Sequence, residues 1–321
     1  MTTYVEHLNH HLAQAMLRHE RFVAFGQNID AGSCLSGLTR GLPRDGKRLV
    51  INTPNAENTL VGIGFGMMSR GMACAFVMKQ LDFLLLGVDQ LVNTWNILRE
   101  QDCGGSFTIV AIVVDGGYAG PQSSFNGLYD LCSVARIPGF AVTNQLDVAT
   151  VFERQVGAPG LRLVAVSERL FRAPVIEWDA EQAVIHGDGE IIRYTEGEAA
   201  TVACSNLSFP QGMELAAAFH DRGLSTSLFG IHAAHPVDWT PILKDVQRTR
   251  QLVLLDDCKS WNAPYRDLLM AARGLCGADN VHLIARGGGE LRPNPDAFEV
   301  PTDWLCDVVG RNHADASSKA G

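Results

Sequence analysis

One carboxylate stands apart in this chain. Glu57, within INTPNAENTLVGIGFGMMSRGM, is surrounded by small and apolar residues and immediately precedes a run of them at helical spacing. A lone carboxylate among such neighbours is suited to proton transfer with a bound ligand. Its plain structural reading is an acid in the first turn of a helix, where the macrodipole favours negative charge, and periodicity alone prefers that reading. Other chemistry-bearing groups carry less. His7 and His11 lie one helical turn apart, and His232 and His235 are spaced i, i+3, but neither pair has a Cys, Asp or Glu third ligand at an obvious spacing. Surface or loop histidines are the better reading than a metal site. Gly62, Gly64 and Gly66 are spaced GxGxG inside a helical pattern with no strand leading into them, which lacks the context of a dinucleotide fingerprint. Gly62 and Gly66 read instead as a small-xxx-small pair that lets another helix approach. Gly187-Asp188-Gly189 and Gly287-Gly288-Gly289 join no clear strand to a helix N-terminus and read as turns rather than phosphate loops. There is no GxSxG elbow, which excludes the usual serine hydrolase arrangement.

The elements that must position Glu57 are legible from hydrophobic periodicity. Tyr4 to Arg18 places Val5, Leu8, Leu12, Ala15 and Met16 on one helical face. Short apolar runs at Phe22 to Phe25, Leu49 to Ile51, Ala73 to Met78, Ile109 to Val114 and Leu161 to Val166 read as strands. Helical patterns fall between them at Thr59 to Ser69, Phe83 to Leu98 and Val148 to Val156. The helix from Phe83 opens apolar nearly all round (Phe83, Leu84, Leu85, Leu86, Val88), so it is expected to be buried, with a subunit interface as one place for it. Strands of near-continuous apolar character alternating with helices predict a parallel sheet covered on both faces. Ile176 to Glu198 is polar and acidic and reads as a linker with an edge hairpin. A second alternation follows: strands near Ala200, Ser225, Gln251 and Val281, helices near Gln211, Pro241 and Tyr265. The expectation is an α/β chain of two domains, 1–178 and 179–310, with a disordered tail over 311–321.

Bulk properties narrow the function. A chain of 321 residues suits two domains, and its 46% hydrophobic, 19% charged composition is that of a globular protein. A net charge of −9 offers no basic surplus to displace phosphate counterions, which argues against nucleic acid. No apolar run is long enough to span a bilayer, and the polar amino terminus lacks the core of a signal peptide. The eight cysteines are scattered singly and read as free thiols of a reducing compartment, by default the cytoplasm.

Around Glu57 the sequence resembles the β subunits of 2-oxoacid dehydrogenase E1 components, within the transketolase-like thiamine-diphosphate enzymes. The match runs TP-x-AE-N, then VGIGFGM-x-x-x-GM, then DF-x-x-x-x-x-DQ-x-VN, in the family's order. It extends upstream through VAFGQNID and SGLTRGL, and downstream through PVDWTPILKDVQRTRQLVLLDD and RPNPDAFEVP. The resemblance implies a pyrimidine-binding domain, a parallel sheet flanked by helices, followed by a transketolase-type carboxy-terminal α/β domain. It implies thiamine diphosphate shared with an α-type subunit in an α2β2 assembly. That partner would hold the diphosphate and Mg²⁺ through a GDG-plus-asparagine motif, which is missing here because Gly187-Asp188-Gly189 runs on into EIIRYTEGE. No metal ligands are then expected on this chain. Glu57 would hydrogen-bond N1′ of the aminopyrimidine and favour the imino tautomer whose 4′-nitrogen takes the C2 proton. Phe83 matches the aromatic that packs on the pyrimidine, and Lys79 and Leu81 fall beside it. A lysine is unexpected in a site that the resemblance makes apolar.

One departure bears on the reaction. Where E1 β subunits carry a histidine in a QHSQ-like segment, GYAGPQSSFNGLYDL offers Ser123, next to Gln122, as the substrate-side group. A hydroxyl orients a carbonyl but does not shuttle a proton near neutrality as imidazole does. The stretch GLYDLCSVARIP is also nearer to the deoxyxylulose-phosphate synthase pattern. The expected function is decarboxylation of a 2-oxo acid and transfer of the acyl or aldehyde unit. The acceptor is lipoamide on a lipoyl acyltransferase, as in an E1, or a carbonyl, as in a carboligase. The alternatives are the carboxy-terminal half of a split transketolase and a non-catalytic stabilising partner of the α chain.

Overall fold

The computed structural model describes residues 1–101, 103–117, 126–286 and 297–320. Helix α1 (Tyr4–Leu17) opens on a capping box between Thr3 and Glu6 and buries Tyr4, Val5, Leu8, Leu12, Ala15 and Met16. Strand β1 (Phe22–Gly26), strand β2 (Arg48–Asn52), helix α2 (Glu57–Ser69) and strand β3 (Ala73–Met78) follow. A 3-10 turn over Leu81–Gly87, a π-helical turn over Gln90–Thr94 and the short α3 (Trp95–Leu98) lead to β4 (Ser106–Val113). Then come α4 (Leu128–Ala135), β5 (Gly139–Val142), the short α5 (Gln145–Asp147) and α6 (Glu153–Gln155) either side of a π-helical turn, and β6 (Gly160–Ser167). The second half is β7 (Val184–His186), β8 (Ile191–Thr195), β9 (Ala200–Ser205), α7 (Phe209–Asp221), β10 (Thr226–Ile231) and β11 (Ala233–His235). It ends with α8 (Thr240–Thr249), β12 (Leu252–Asp256), α9 (Arg266–Cys276), β13 (Val281–Ala285) and α10 (Thr302–Ala320).

These strands form two sheets, ordered β11-β5-β6-β4-β3-β1-β2 and β13-β12-β9-β10-β8-β7. The first is parallel except for β11, which comes from the second half of the chain and closes the edge antiparallel to β5. The expected hairpin is β7 and β8 at the edge of the second sheet, with Gly187 and Gly189 in its turn. Every residue of β1, β3 and β4 is buried, as strands covered on both faces require. No helix among the described residues is long and apolar enough to cross a membrane.

The structure departs from the sequence expectations at four places. The segment Phe83 to Leu98 is helical as expected but irregularly wound, 3-10 over Leu81–Gly87 and π over Gln90–Thr94, with Gly87 crossing α2 so closely that a Cβ there would lie 2.8 Å from Val61 Cγ2. It departs from the expectation in its burial: Leu81 and Leu84 are buried but Leu85 and Leu86 are 49% and 62% exposed, so the apolar run is not covered within this chain. The close approach on α2 is made at Gly64, where a Cβ would meet the Phe107 ring at 2.2 Å, while Gly66 faces open space. His232 is buried rather than at the surface, beside Tyr194 and with Nδ1 3.0 Å from the Ala141 carbonyl, and burial pushes its pKa down to about 4. Positions 311–320 continue α10 instead of forming an irregular tail, the helix being docked upstream by buried Leu305, Cys306 and Val309.

The two sheets are joined by a buried ionic contact. Arg169, just after β6, places Nε 3.3 Å from Asp115 Oδ2 and Nη2 3.5 Å from Asp257 Oδ2, and donates to the Leu207 carbonyl at 3.1 Å. Ser167 donates to Asp115 at 2.6 Å, and Asn206 Nδ2 and Leu207 N donate to Asp257 at 2.9 and 3.0 Å. Burial raises the Asp257 pKa and Arg169 opposes that shift. Its neighbour Asp256 accepts from the Tyr265 hydroxyl at 2.8 Å, and burial, reinforced by the charge of Asp257, pushes its carboxyl up to about 7.

Two stability measurements test this packing. Gly64→Ala is expected to destabilise the chain by about 1–3 kcal/mol through overpacking against Phe107, whereas Gly66→Ala, facing open space, is expected to leave chemical unfolding of the isolated chain unchanged or slightly improved; equal effects would contradict the assignment. Because the folded pKa of Asp256 lies above its unfolded value of 3.8, its contribution is present at low pH and lost as pH rises through about 7. The urea midpoint of the native chain is therefore expected to fall relative to Asp256→Asn between about pH 5 and about pH 8. A constant difference across that window would refute the shift.

Candidate active site

The site begins with strand order. β1 is followed in the chain by β2 on one side of it and then by β3 on the other, so the connections diverge between β1 and β3. A crevice opens there at the carboxyl ends of the strands, the usual ligand position in open α/β sheets. Gly26 ends β1 with its φ at +154° and its Cα pressed against β3; a Cβ would lie 2.2 Å from the Val77 carbonyl oxygen, so only glycine fits. The crevice is lined by Gln27 after β1, Met78 and Lys79 at the end of β3, Pro54, Glu57 and Leu60 at the start of α2, and Phe76 and Phe83. Three of the four cofactor-side residues expected from the sequence, Glu57, Lys79 and Phe83, thus share one cleft.

Glu57 is half-buried in the first turn of α2, whose N-cap Ala56 supplies no side-chain cap, so its charge compensates the helix amides left open there. Beneath the cleft a chain of aromatic contacts fixes α2 on the sheet. Phe65 meets Phe107 edge to face at 5.4 Å, and Phe25 stacks on Phe76 at 5.3 Å and on Phe107 at 6.4 Å. The motif DF-x-x-x-x-x-DQ-x-VN holds the lip in place. Gln90 Nε2 donates to Asn58 Oδ1 at 3.3 Å, next to Glu57, and Gln90 Oε1 accepts from Thr94 at 2.6 Å. Asn93 in turn donates to Asp89 at 2.7 Å. Phe83 is half-buried with its side chain at the cleft, while Leu81 lies in the core below it.

Lys79 is exposed on the lip. Its charge reaches Glu168, at the end of β6, whose pKa is raised by burial and by Asp115 and partly restored by Lys79. Glu168 and Arg169 line a second recess with Ser36, Gly116, Gly117 and Arg172 along the same carboxyl edge of the sheet. Ser123 and Gln122 lie outside the described residues. Reading motifs residue by residue missed Gln27 and Met78; the signal for Gln27 was its place in VAFGQNID, directly after a strand.

The cleft is small, about 10 Å³, far below the roughly 300–1,000 Å³ of a complete ligand pocket. It offers a carboxylate, an amide, an aromatic face and a thioether, a set suited to the edge and face of a flat heterocycle. No group of His, Cys, Asp or Glu among the described residues can hold a metal ion. His11 pairs with Glu153, and His7 Nε2 lies 3.2 Å from the Gln145 carbonyl, so that pair serves helix packing.

No protein-family model matches the chain. Among known proteins it is 23% identical to the β subunit of acetoin:2,6-dichlorophenolindophenol oxidoreductase of Cupriavidus necator, over 78% of this chain and 77% of that one. It is 24% identical to the pyruvate dehydrogenase E1 component subunit β of Acholeplasma laidlawii, over 83% of each. It is 23% identical to the 2-oxoisovalerate dehydrogenase subunit β of Bacillus subtilis, over 79% of each. Among solved structures it superimposes on a split-gene transketolase described as an inactive β4 tetramer, with a TM-score of 0.64 and 13% identity, over 98% of this chain and 96% of that one. The fold is thus transketolase-like, and the chain is a homologue of the β subunits of 2-oxo acid dehydrogenase E1 components.

Proposed function

We propose that this chain is the β-type subunit of a heteromeric thiamine-diphosphate enzyme that decarboxylates a 2-oxo acid and passes on the acyl or aldehyde unit. The observation that carries this reading is Glu57 in a small cleft at the β1/β3 crevice, lined also by Phe83. The residues present fit one end of the cofactor. A half-buried carboxylate is placed to bond the pyrimidine edge, Phe83 and Met78 to cover the ring, and Gln27 to offer an amide. When bound, thiamine diphosphate supplies an acidic carbon that adds to a ketone and accepts the electrons released on loss of CO₂. Glu57 holds and returns a proton at N1′ of the pyrimidine. Lys79, on the lip, places a positive charge where an otherwise apolar site has none.

The diphosphate and Mg²⁺ are assigned to an α-type subunit, because Gly187-Asp188-Gly189 runs on into EIIRYTEGE without the asparagine of the motif that would hold them. The exposed Leu85 and Leu86 follow Phe83 directly and give such a partner an apolar surface to cover. Ser123, with Gln122, is assigned to the substrate side. A hydroxyl there suits orientation of a carbonyl, which favours a carbonyl acceptor over a lipoyl acyltransferase. Eight free cysteines favour a reducing compartment, and the cytoplasm is the compartment we propose. The split-transketolase reading has the fold neighbour's name in its favour, but that likeness carries fold alone.

Co-expressed with its α partner, the chain is expected to purify as an α2β2 assembly that turns over a 2-oxo acid. Analytical ultracentrifugation finding a stable monomer active with thiamine diphosphate alone would sink the reading. In that assembly Glu57→Gln is expected to keep its subunit composition and bind the cofactor, followed by circular dichroism, while turnover falls by about 10²-fold or more. Near-normal hydrogen–deuterium exchange at C2 of the bound cofactor in the Gln variant would remove Glu57 from the proposed role.

A further inference from the structure

A second cleft, about 480 Å³ and roomier than the one at Glu57, lies at the opposite edge of the first sheet, where β11 closes it. Its walls come from both halves of the chain. α4 contributes Tyr129 and the residue that ends it, Arg136; β11 contributes His235; the loop entering α9 contributes Trp261 and Asn262, and α9 opens with Arg266.

Three features of this cleft bear on what it holds. Arg136 and Arg266 are both exposed, and neither makes an ion pair among the described residues of a chain whose net charge is −9. The nearby Asp130 is engaged by Asn262 instead. Arg136 also caps α4 in the left-handed conformation, φ 52° and ψ 49°, its backbone N–H donating to the Cys132 carbonyl. That cap uses only the backbone and favours glycine or asparagine, so the guanidinium is not needed for it. Trp261 is 82% exposed, an apolar side chain standing in water beside two guanidinium groups.

We propose that this seam cleft binds a nucleotide, its phosphate held between Arg136 and Arg266 and its base stacked on Trp261. Two guanidinium groups without partners balance a dianion rather than a single carboxylate, and their forked donors match phosphate oxygens. The indole face supplies a platform for a planar ring, and the volume falls in the range of small-ligand pockets. A ligand seated here touches α4 and β11 at the edge of the first sheet and the loop before α9 of the second, so it stabilises the contact between them. The site is independent of the Glu57 cleft and of the function proposed for it.

The test is titration calorimetry and thermal unfolding of the purified full chain with AMP, adenosine and inorganic phosphate. AMP is expected to raise the melting temperature and to bind at least about tenfold more tightly than either fragment. Arg136→Gly removes the guanidinium and relieves the strained backbone together. It is expected to melt no lower than the native chain yet bind AMP at least about tenfold more weakly, with Arg266→Gln showing the same loss of binding. Trp261→Ala is expected to bring AMP affinity down to that of phosphate. The proposal is overturned if AMP does not bind, if adenosine or phosphate binds as tightly as AMP, or if AMP affinity survives both arginine substitutions.

Discussion

A parallel sheet whose second strand lies on one side of the first, and whose third lies on the other, must part its connections above the first and third strands. The candidate site follows from that constraint. The loop after β1 leaves with Gln27, the loop after β3 leaves with Lys79, and the gap between them is closed from above by the first turn of α2 with Glu57. Gly26 permits the tight seam, since any side chain there would collide with the Val77 carbonyl. Fixing α2 therefore fixes Glu57, and α2 is fixed by Gly64 against Phe107 and by the aromatic contacts that run on to Phe76 in the cleft floor. The carboxylate sits where sheet topology puts it, and the core below allows it little freedom.

The second half of the chain is bound to this sheet by groups that are costly to separate. Removing one member of a buried ion pair commonly costs about 3–5 kcal/mol, because the charge left behind is unpaired. Arg169 serves two buried carboxylates at once, Asp115 from the first sheet's side and Asp257 from the second's. Strand β11 adds a backbone tie, since it belongs to the second half by sequence and to the first sheet by hydrogen bonding. The halves are thus one folded body held by charge and by a shared edge. The recess lined by Glu168 and Arg169 lies where that ionic contact meets the carboxyl edge of the first sheet.

Much of this was legible in the sequence because local signals and tertiary structure agree. The strand Ala73–Met78 has the limits read from its apolar run, and the motif around Glu57 brought Lys79 and Phe83 to the same place in space. The misreadings share a cause. Periodicity reports how apolar a face is, not which neighbour covers it, so Phe83 to Leu98 read as a buried helix although Leu85 and Leu86 face outward. Spacing selected Gly62 and Gly66 as a packing pair, whereas the ring of Phe107, distant in sequence, selects Gly64. His232 gave no sign of burial, because its surroundings are assembled from Tyr194 and Ala141 on other elements. The strand β5 was missed between a helix and a turn-like Pro-Gly, and β11 is too short to show a period.

The 3-10 winding of the segment after β3 links assembly to chemistry on the proposed reading. A regular α-helix from Phe83 would carry its apolar residues around the whole circumference, and part of them would have to turn into the sheet. The 3-10 turn over Leu81–Gly87 divides them instead: Leu81 and Leu84 anchor the turn in the core, Phe83 reaches the cleft, and Leu85 and Leu86 are left to solvent. Exposed leucines carry a free-energy cost that a partner's surface removes, at roughly 25 cal/mol per Å² of apolar area covered. The partner that covers them is brought within a few residues of Phe83 and, across α2, of Glu57. A cleft too small to hold a cofactor alone is therefore completed by the same contact that buries the exposed face. Assembly and cofactor binding then stabilise one another, and the isolated subunit, lacking both, holds its carboxylate in place with nothing to act on.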